Sequence, residues 1–192
     1  RRFRTDVWPE QRARYEALSA RGQRPETLII ACSDSRVDPQ TVFGAGPGEF
    51  NLPRDLAIGK DGQLYVVDGG NFRVQVFSRD GKFLRSFGAL GKQFGQFARP
   101  KEVATDRTGN VYVVDAAFGN FQIFNAEGDL LLFVGERSER DGPGKYMLPS
   151  GIYVDEDGRV YMIDQWFRKV DVFRPVTLAK NAGWLQLPAK AP

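Results

Sequence analysis

Histidine is absent from the 192 residues, and cysteine occurs once, at Cys32. The first absence removes the commonest general base and the commonest metal ligand together. The second rules out a disulfide within the chain. Long apolar runs are missing too: none approaches the roughly 20 residues a helix needs to cross a bilayer, so no membrane span is expected. Arg1-Arg2-Phe3-Arg4 is basic, but no apolar segment follows it. The start therefore does not read as a secretory leader, and a cytoplasmic location is the default expectation. Basic clustering is also lacking where most of the chain lies. Residues 50–176 hold 17 Lys and Arg against 17 Asp and Glu, so the net charge of +3 sits at the two ends. Nucleic-acid surfaces draw affinity from neutralising phosphates with basic side chains, and bulk charge argues against such a partner.

What the chain does contain is repetition. Leu64-Tyr65-Val66-Val67-Asp68 returns as Val111-Tyr112-Val113-Val114-Asp115 and again as Val160-Tyr161-Met162-Ile163-Asp164, at spacings of 47 and 49 residues. The neighbours keep the same frame. Pro53, Pro100 and Pro149 precede each copy, and Phe77, Phe124 and Phe173 follow each Asp by nine residues. Gly48-Glu49-Phe50, Gly95-Gln96-Phe97 and Gly144-Lys145-Tyr146 open the three units. The repeats are expected at 48–94, 95–143 and 144–176, followed by a tail at 177–192.

Each unit alternates apolar and polar residues between turn signals. In the first, Asp55–Ile58, Gln63–Asp68, Arg73–Phe77 and Phe83–Gly88 read as strands, with Asp61-Gly62 and Asp80-Gly81 as hairpin turns. The second copies this, with strands over Lys101–Thr105, Asn110–Asp115, Phe121–Phe124 and Leu130–Gly135. The third supplies three strands: Ser150–Asp155, Arg159–Asp164 and Val170–Arg174. Trp184–Leu187 is the candidate for its fourth. Four short antiparallel strands per forty-odd residues is the pattern of a β-propeller blade. Arg137–Asp141 is a charged insertion expected as a solvated loop.

Residues 1–47 differ. Trp8-Pro9-Glu10 opens an expected helix to about Ser19, and Thr27–Cys32 is a short apolar run that reads as a buried strand. Gln23–Pro39, read as Gln-Arg-Pro-Glu-Thr-Leu-Ile-Ile-Ala-Cys-Ser-Asp-Ser-Arg-Val-Asp-Pro, resembles the first active-site segment of β-class carbonic anhydrases. In that family the Cys here is a zinc ligand, and the Asp and Arg two and four residues on govern access to the metal. The resemblance thus implies Cys32 and Asp34 as metal-side candidates, with Asp34 and Arg36 as catalytic ones, for reversible hydration of carbon dioxide. The family takes its remaining ligands from a later His-x-x-Cys segment, and these 192 residues have neither a His nor a second Cys. Catalytic zinc needs three protein ligands and an open position, so no enzyme activity and no cofactor are expected, zinc being the cofactor only if the carbonic anhydrase reading holds.

The repeats resemble the NHL repeat in their leading Pro, Asp-Gly turn, Tyr-Val-Val-Asp strand, basic turn and Val-Gln-Val-Phe strand. Arg73 fills the usual basic position, while Asn120 and Lys169 depart from it. The two resemblances meet near Pro47-Gly48-Glu49, which suits both, and the sequence reads as a chimera. The expected fold is mainly β: about three four-stranded NHL-type blades, half of a six-bladed ring, behind a truncated α/β helix-strand segment. The resemblance implies a binding or scaffold module, with single-stranded RNA as an alternative ligand. Candidate binding residues are Asp68, Asp115 and Asp164 at equivalent strand ends, Arg73, and Phe118 and Trp166 just beyond two of the aspartates. Each Asp either rings the mouth of a central channel or accepts backbone N–H groups from the next turn. The aromatics either line a surface or pack between blades. Three blades leave two sheet faces unmatched, so a homodimer completing the ring, or another protein partner, is expected.

Overall fold

The computed structural model describes residues 50–178, and there the alternating pattern becomes sheet. β1 (Pro53–Ile58), β2 (Leu64–Asp68), β3 (Arg73–Phe77) and β4 (Phe83–Phe87) pair antiparallel in chain order. β5 (Pro100–Thr105), β6 (Val111–Asp115), β7 (Asn120–Phe124) and β8 (Leu130–Val134) repeat the arrangement. β9 (Glu136–Arg137) and β10 (Lys145–Tyr146) make a short parallel pair. β11 (Pro149–Val154), β12 (Val160–Asp164) and β13 (Lys169–Phe173) form a third sheet of three strands. The expected fourth strand at Trp184–Leu187, the tail and the whole N-terminal segment lie outside the described residues.

The recurring proline has a structural reason. Each first strand opens with Pro paired to the closing Asp of the second strand, and the register slips just after it, between Pro53 and Leu56, Pro100 and Glu102, and Pro149 and Gly151. Proline has no N–H for a ladder, and a strand's first residue or a bulge is where a sheet tolerates it.

The sheets stack face to face as successive blades. Val67, Val74 and Val76 of the first pack on Val103, Val111, Val113 and Phe124 of the second. Tyr112, Val114 and Phe121 of the second pack on Val154, Val160 and Met162 of the third. β6 is buried at all five residues, because its sheet is covered on both sides. That explains why it reads as Val-Tyr-Val-Val without alternation. The first strands β1, β5 and β11 adjoin one another. Asp55 Oδ2 accepts the Val103 N–H at 2.9 Å, Thr105 Oγ1 donates to the Ile58 carbonyl at 3.0 Å, and Lys101 Nζ donates to the Pro149 carbonyl at 3.3 Å.

An aromatic wedge sits between neighbouring blades. Phe97 is fully buried and Tyr146 equally so. Each lies against a glycine that ends the preceding blade: a Cβ on Gly88 would stand 2.4 Å from the Phe97 ring, and one on Gly135 would stand 2.7 Å from the Tyr146 ring. Both glycines have φ near +90°, at +89° and +95°, so close approach and backbone conformation both demand glycine.

The charged insertion is exposed, as expected, at all its residues but Ser138. The charged segment from Arg137 to Asp141 is tied down at its root. Glu136 N–H donates to the Gly144 carbonyl and Ser138 N–H to the Tyr146 carbonyl, each at 3.0 Å. Lys169 Nζ donates to the Gly142 carbonyl at 2.6 Å and lies 3.0 Å from Asp141. Charge composition alone does not reveal a two-residue parallel pairing; of the five residues only Ser138 is half-buried.

Candidate functional site

The aspartates that close the second strands are completely buried. Asp115 Oδ2 accepts the Ala98 and Arg99 N–H groups at 2.7 and 2.9 Å. Its Oδ1 accepts those of Ala117 and Phe118 at 2.8 and 3.1 Å. Asp164 repeats the pattern with Met147, Leu148 and Phe167 at 2.8–2.9 Å. Asp68 accepts Asn51 N–H at 2.7 Å, and then Asn71 Nδ2, Arg73 Nε and Gln75 Nε2, each at 2.9 Å. These carboxylates staple the loop entering a blade to the turn leaving its second strand. Asp115 and Asp164 are met by backbone N–H groups that have no strand partner, and Asp68 by one backbone N–H and three side chains. Arg73 joins the same clamp, with its side chain a third exposed.

Two further carboxylates, Asp106 and Asp155, were not singled out from the sequence. Each sits in the first hairpin of its blade and gathers the turn around it. Asp106 Oδ1 accepts Thr108, Gly109 and Asn110 N–H at 2.8–2.9 Å, and Oδ2 accepts the Tyr112 hydroxyl at 3.0 Å. Burial pushes its carboxyl up, but the hydrogen bonds from Thr108, Asn110 and Tyr112 outweigh that and hold it below the usual carboxylate range. The first blade has Gly59 at this position, where a Cβ would stand 2.8 Å from the Tyr65 ring.

The aromatics divide. Phe121 is buried, edge-on to Phe173 at 5.5 Å between ring centroids, so it belongs to inter-blade packing. Trp166 is 62% exposed and stands alone beyond Asp164. Phe118 lines a cleft of about 380 Å³ with Lys92, Phe94, Asn120, Phe133 and Arg137. Phe94 is 78% exposed and stacks on Phe133 at 5.2 Å with 21° between the planes. Asn120, at the repeat's basic position, has its side-chain carbonyl buried there without a hydrogen-bond partner. Four of these residues, Lys92, Phe94, Phe133 and Arg137, were missed from sequence. The available signal was departure from the repeat: Phe94 stands where the other units have Pro47 and Pro143, and Phe133 where the first has Ser86.

On the adjoining first strands, Glu102 of β5 lies beside Asp55 of β1. Burial, then the Asp55 charge, push the Glu102 carboxyl up from an ordinary 4.5 to about 7, against the pull of Lys101 and Arg54. A carboxyl whose pKa rises on folding favours the native state in its protonated form, so stability should fall as pH climbs from about 4.5 to about 7 and then level off. Glu102→Gln should remove that fall. The variant should match the parent near the acid end and melt higher above pH 7, as thermal unfolding across pH would show.

The zinc-site candidates Cys32, Asp34 and Arg36 lie outside the described residues. The donor set of the chain does not fit a catalytic zinc: Cys32 is the only cysteine, and there is no histidine. Among the described residues no group of three or more His, Cys, Asp or Glu side chains is arranged to hold a metal.

Comparison with known proteins finds both resemblances. The NHL repeat family matches residues 50–77. RING finger protein nhl-1 of Caenorhabditis elegans is 43% identical over 60 residues, 30% of this chain and 6% of that protein. A carbonic anhydrase of Synechococcus elongatus is 44% identical over 55 residues, 29% of this chain and 20% of that enzyme. The chain thus spans a fifth or less of these relatives. Among solved structures, a nidogen/laminin complex aligns with a TM-score of 0.49 at 18% identity, over 64% of this chain and 44% of that one. A virginiamycin B lyase of Staphylococcus aureus aligns at 0.45 and 14%, over 67% and 45%. The sequence joins a carbonic-anhydrase-like segment to a run of blades that resembles an NHL-repeat propeller.

Proposed function

We propose that the blades act as a non-catalytic binding module and that the carbonic-anhydrase-like segment adds no zinc chemistry to it. The observation that carries this is the cleft beneath Phe94. An exposed ring stacked on a second ring, with a lysine and an arginine beside it, is a surface able to take a ligand. Aromatic and arginine side chains are the groups that dominate protein interfaces. The cleft suits a short extended protein segment that brings an apolar side chain against Phe94 and a carboxylate to Lys92 or Arg137.

The test is a peptide selection on the immobilised full chain, followed by titration of an enriched peptide. Phe94→Ala combined with Lys92→Glu should weaken binding at least tenfold while leaving the melting curve unchanged, since both side chains are mostly in solvent. Peptides that bind the double variant as well as the parent would overturn the assignment. A second reading, single-stranded RNA, is favoured by the same stacked ring between two cations, because bases stack on aromatic faces. A fluorescein-labelled oligouridine that binds with steep salt dependence, and loses binding with Phe94→Ala, would select it over the peptide.

A further inference from the structure

We infer that a second copy of this chain docks on the outward face of the third blade, laying its own first blade there so that two half-rings close into one. The interface needed is written twice inside the chain already. Blade two covers its neighbour with Tyr112, Val114, Phe121 and Ile123. The same repeat positions in blade three are Tyr161, Ile163, Val170 and Val172. Val114 and Phe121 are 0% and 1% exposed, whereas Ile163 and Val170 are 45% and 56% exposed. The third blade thus presents a donor face, still apolar, that its predecessors have buried.

The receiving side is present at the other end. Val103 of β5 is 4% exposed because blade one lies on it, and its repeat equivalent Leu56 in β1 is 52% exposed. Ile58 beside it is 69% exposed. These two project from a receiving face whose remaining members, Phe50, Val66 and Phe77, form a packed cluster. One apolar surface lacks its successor and the other lacks its predecessor.

Charge fits the same pairing. Lys60, Arg107 and Glu156 occupy one repeat position in the first hairpins of the three blades. Arg107 reaches forward to Glu156 at 2.6 Å, and Lys60 reaches forward to the Thr108 carbonyl at 2.8 Å. The residue forward of Glu156 in a continued ring is Lys60 of the second copy, of opposite sign. Glu156 pairs with Arg107 on one side, and its side chain is 78% exposed, which leaves room for a second cation on the other. Two copies supply six blades, within the four to eight at which propellers close. The contact is head-to-tail, and such contacts make rings when the rotation closes.

The experiment is light scattering on a sizing column with the full chain. A mass near twice 21.5 kDa is expected. Val170→Glu should convert it to a monomer with an unchanged far-ultraviolet spectrum. Glu156→Lys should raise the dimer dissociation constant about tenfold, an effect of the size like-charge contacts give, and Lys60→Glu added to it should restore the dimer. The rescue cannot come from a folding defect, so it reads the contact itself. A monomer at every concentration overturns the proposal. So does a ladder of larger species, which would mean that the faces meet without closing, or a dimer that neither substitution disturbs.

Discussion

Asp115→Ala should cost the chain on the order of 3–5 kcal/mol, read as a shift in the midpoint of urea unfolding at an unchanged slope. The carboxylate is wholly buried and receives four main-chain N–H groups, from Ala98, Arg99, Ala117 and Phe118. Alanine leaves all four without an acceptor in a place water does not reach, and the backbone cannot swing them outward. Asp68 offers the contrast. Three of its four donors are side chains, those of Asn71, Arg73 and Gln75. Asn71 is exposed and Arg73 partly so, and both are able to turn to solvent. Asp68→Ala should therefore cost clearly less than Asp115→Ala, although the two residues are equally buried. A binding role for Asp115 without a structural one would leave the midpoint where it is.

Phe97→Ala should be the next most damaging change, at about 3–5 kcal/mol for a buried aromatic ring lost from a packed core. The ring touches both sides of an inter-blade seam: it lies on Gly88 of one sheet and 5.7 Å from the Phe124 ring of the next. Gly88→Ala attacks the same contact from the other side by driving a methyl group into the ring. The two changes share one cause, so together they should cost less than the sum of their separate effects. Urea unfolding of the two single variants and the double completes the cycle. Full additivity would mean that the glycine is there for its backbone conformation alone.

Much of this was legible in the sequence because the repeat prints each constraint more than once. The strand bounds come within about two residues of the alternation and turn signals, and the Asp at each second-strand end marks a fixed structural station. What stayed hidden depends on how units meet. Nothing in Gly-Gln-Phe or Gly-Lys-Tyr says that the aromatic is a wedge, since its glycine partner lies nine or eleven residues earlier, across a turn. The Asp106 turn lock was equally silent, because Asp-x-x-Gly reads as any hairpin turn until Tyr112 is seen reaching back to it. The cleft was missed for a different reason. Lys92, Phe94 and Phe133 are places where the repeat is broken, and a reading tuned to agreement between copies passes over them.

The links between the first strands have a kinetic meaning. Asp55 to Val103, Ile58 to Thr105, Lys60 to Thr108 and Lys101 to Pro149 join residues 47 or 48 positions apart. Arg85 to the Ala126 carbonyl spans 41. Closing each seam between blades therefore ties off a loop of about one repeat, and loop-closure entropy changes little between loops of such similar length. Each blade that docks meets the same entropic barrier as the one before it. Folding of such an array nucleates in one unit and spreads to its neighbour, in the manner of a one-dimensional chain of coupled units. The middle blade, coupled on both sides, is where that spread has two directions to run.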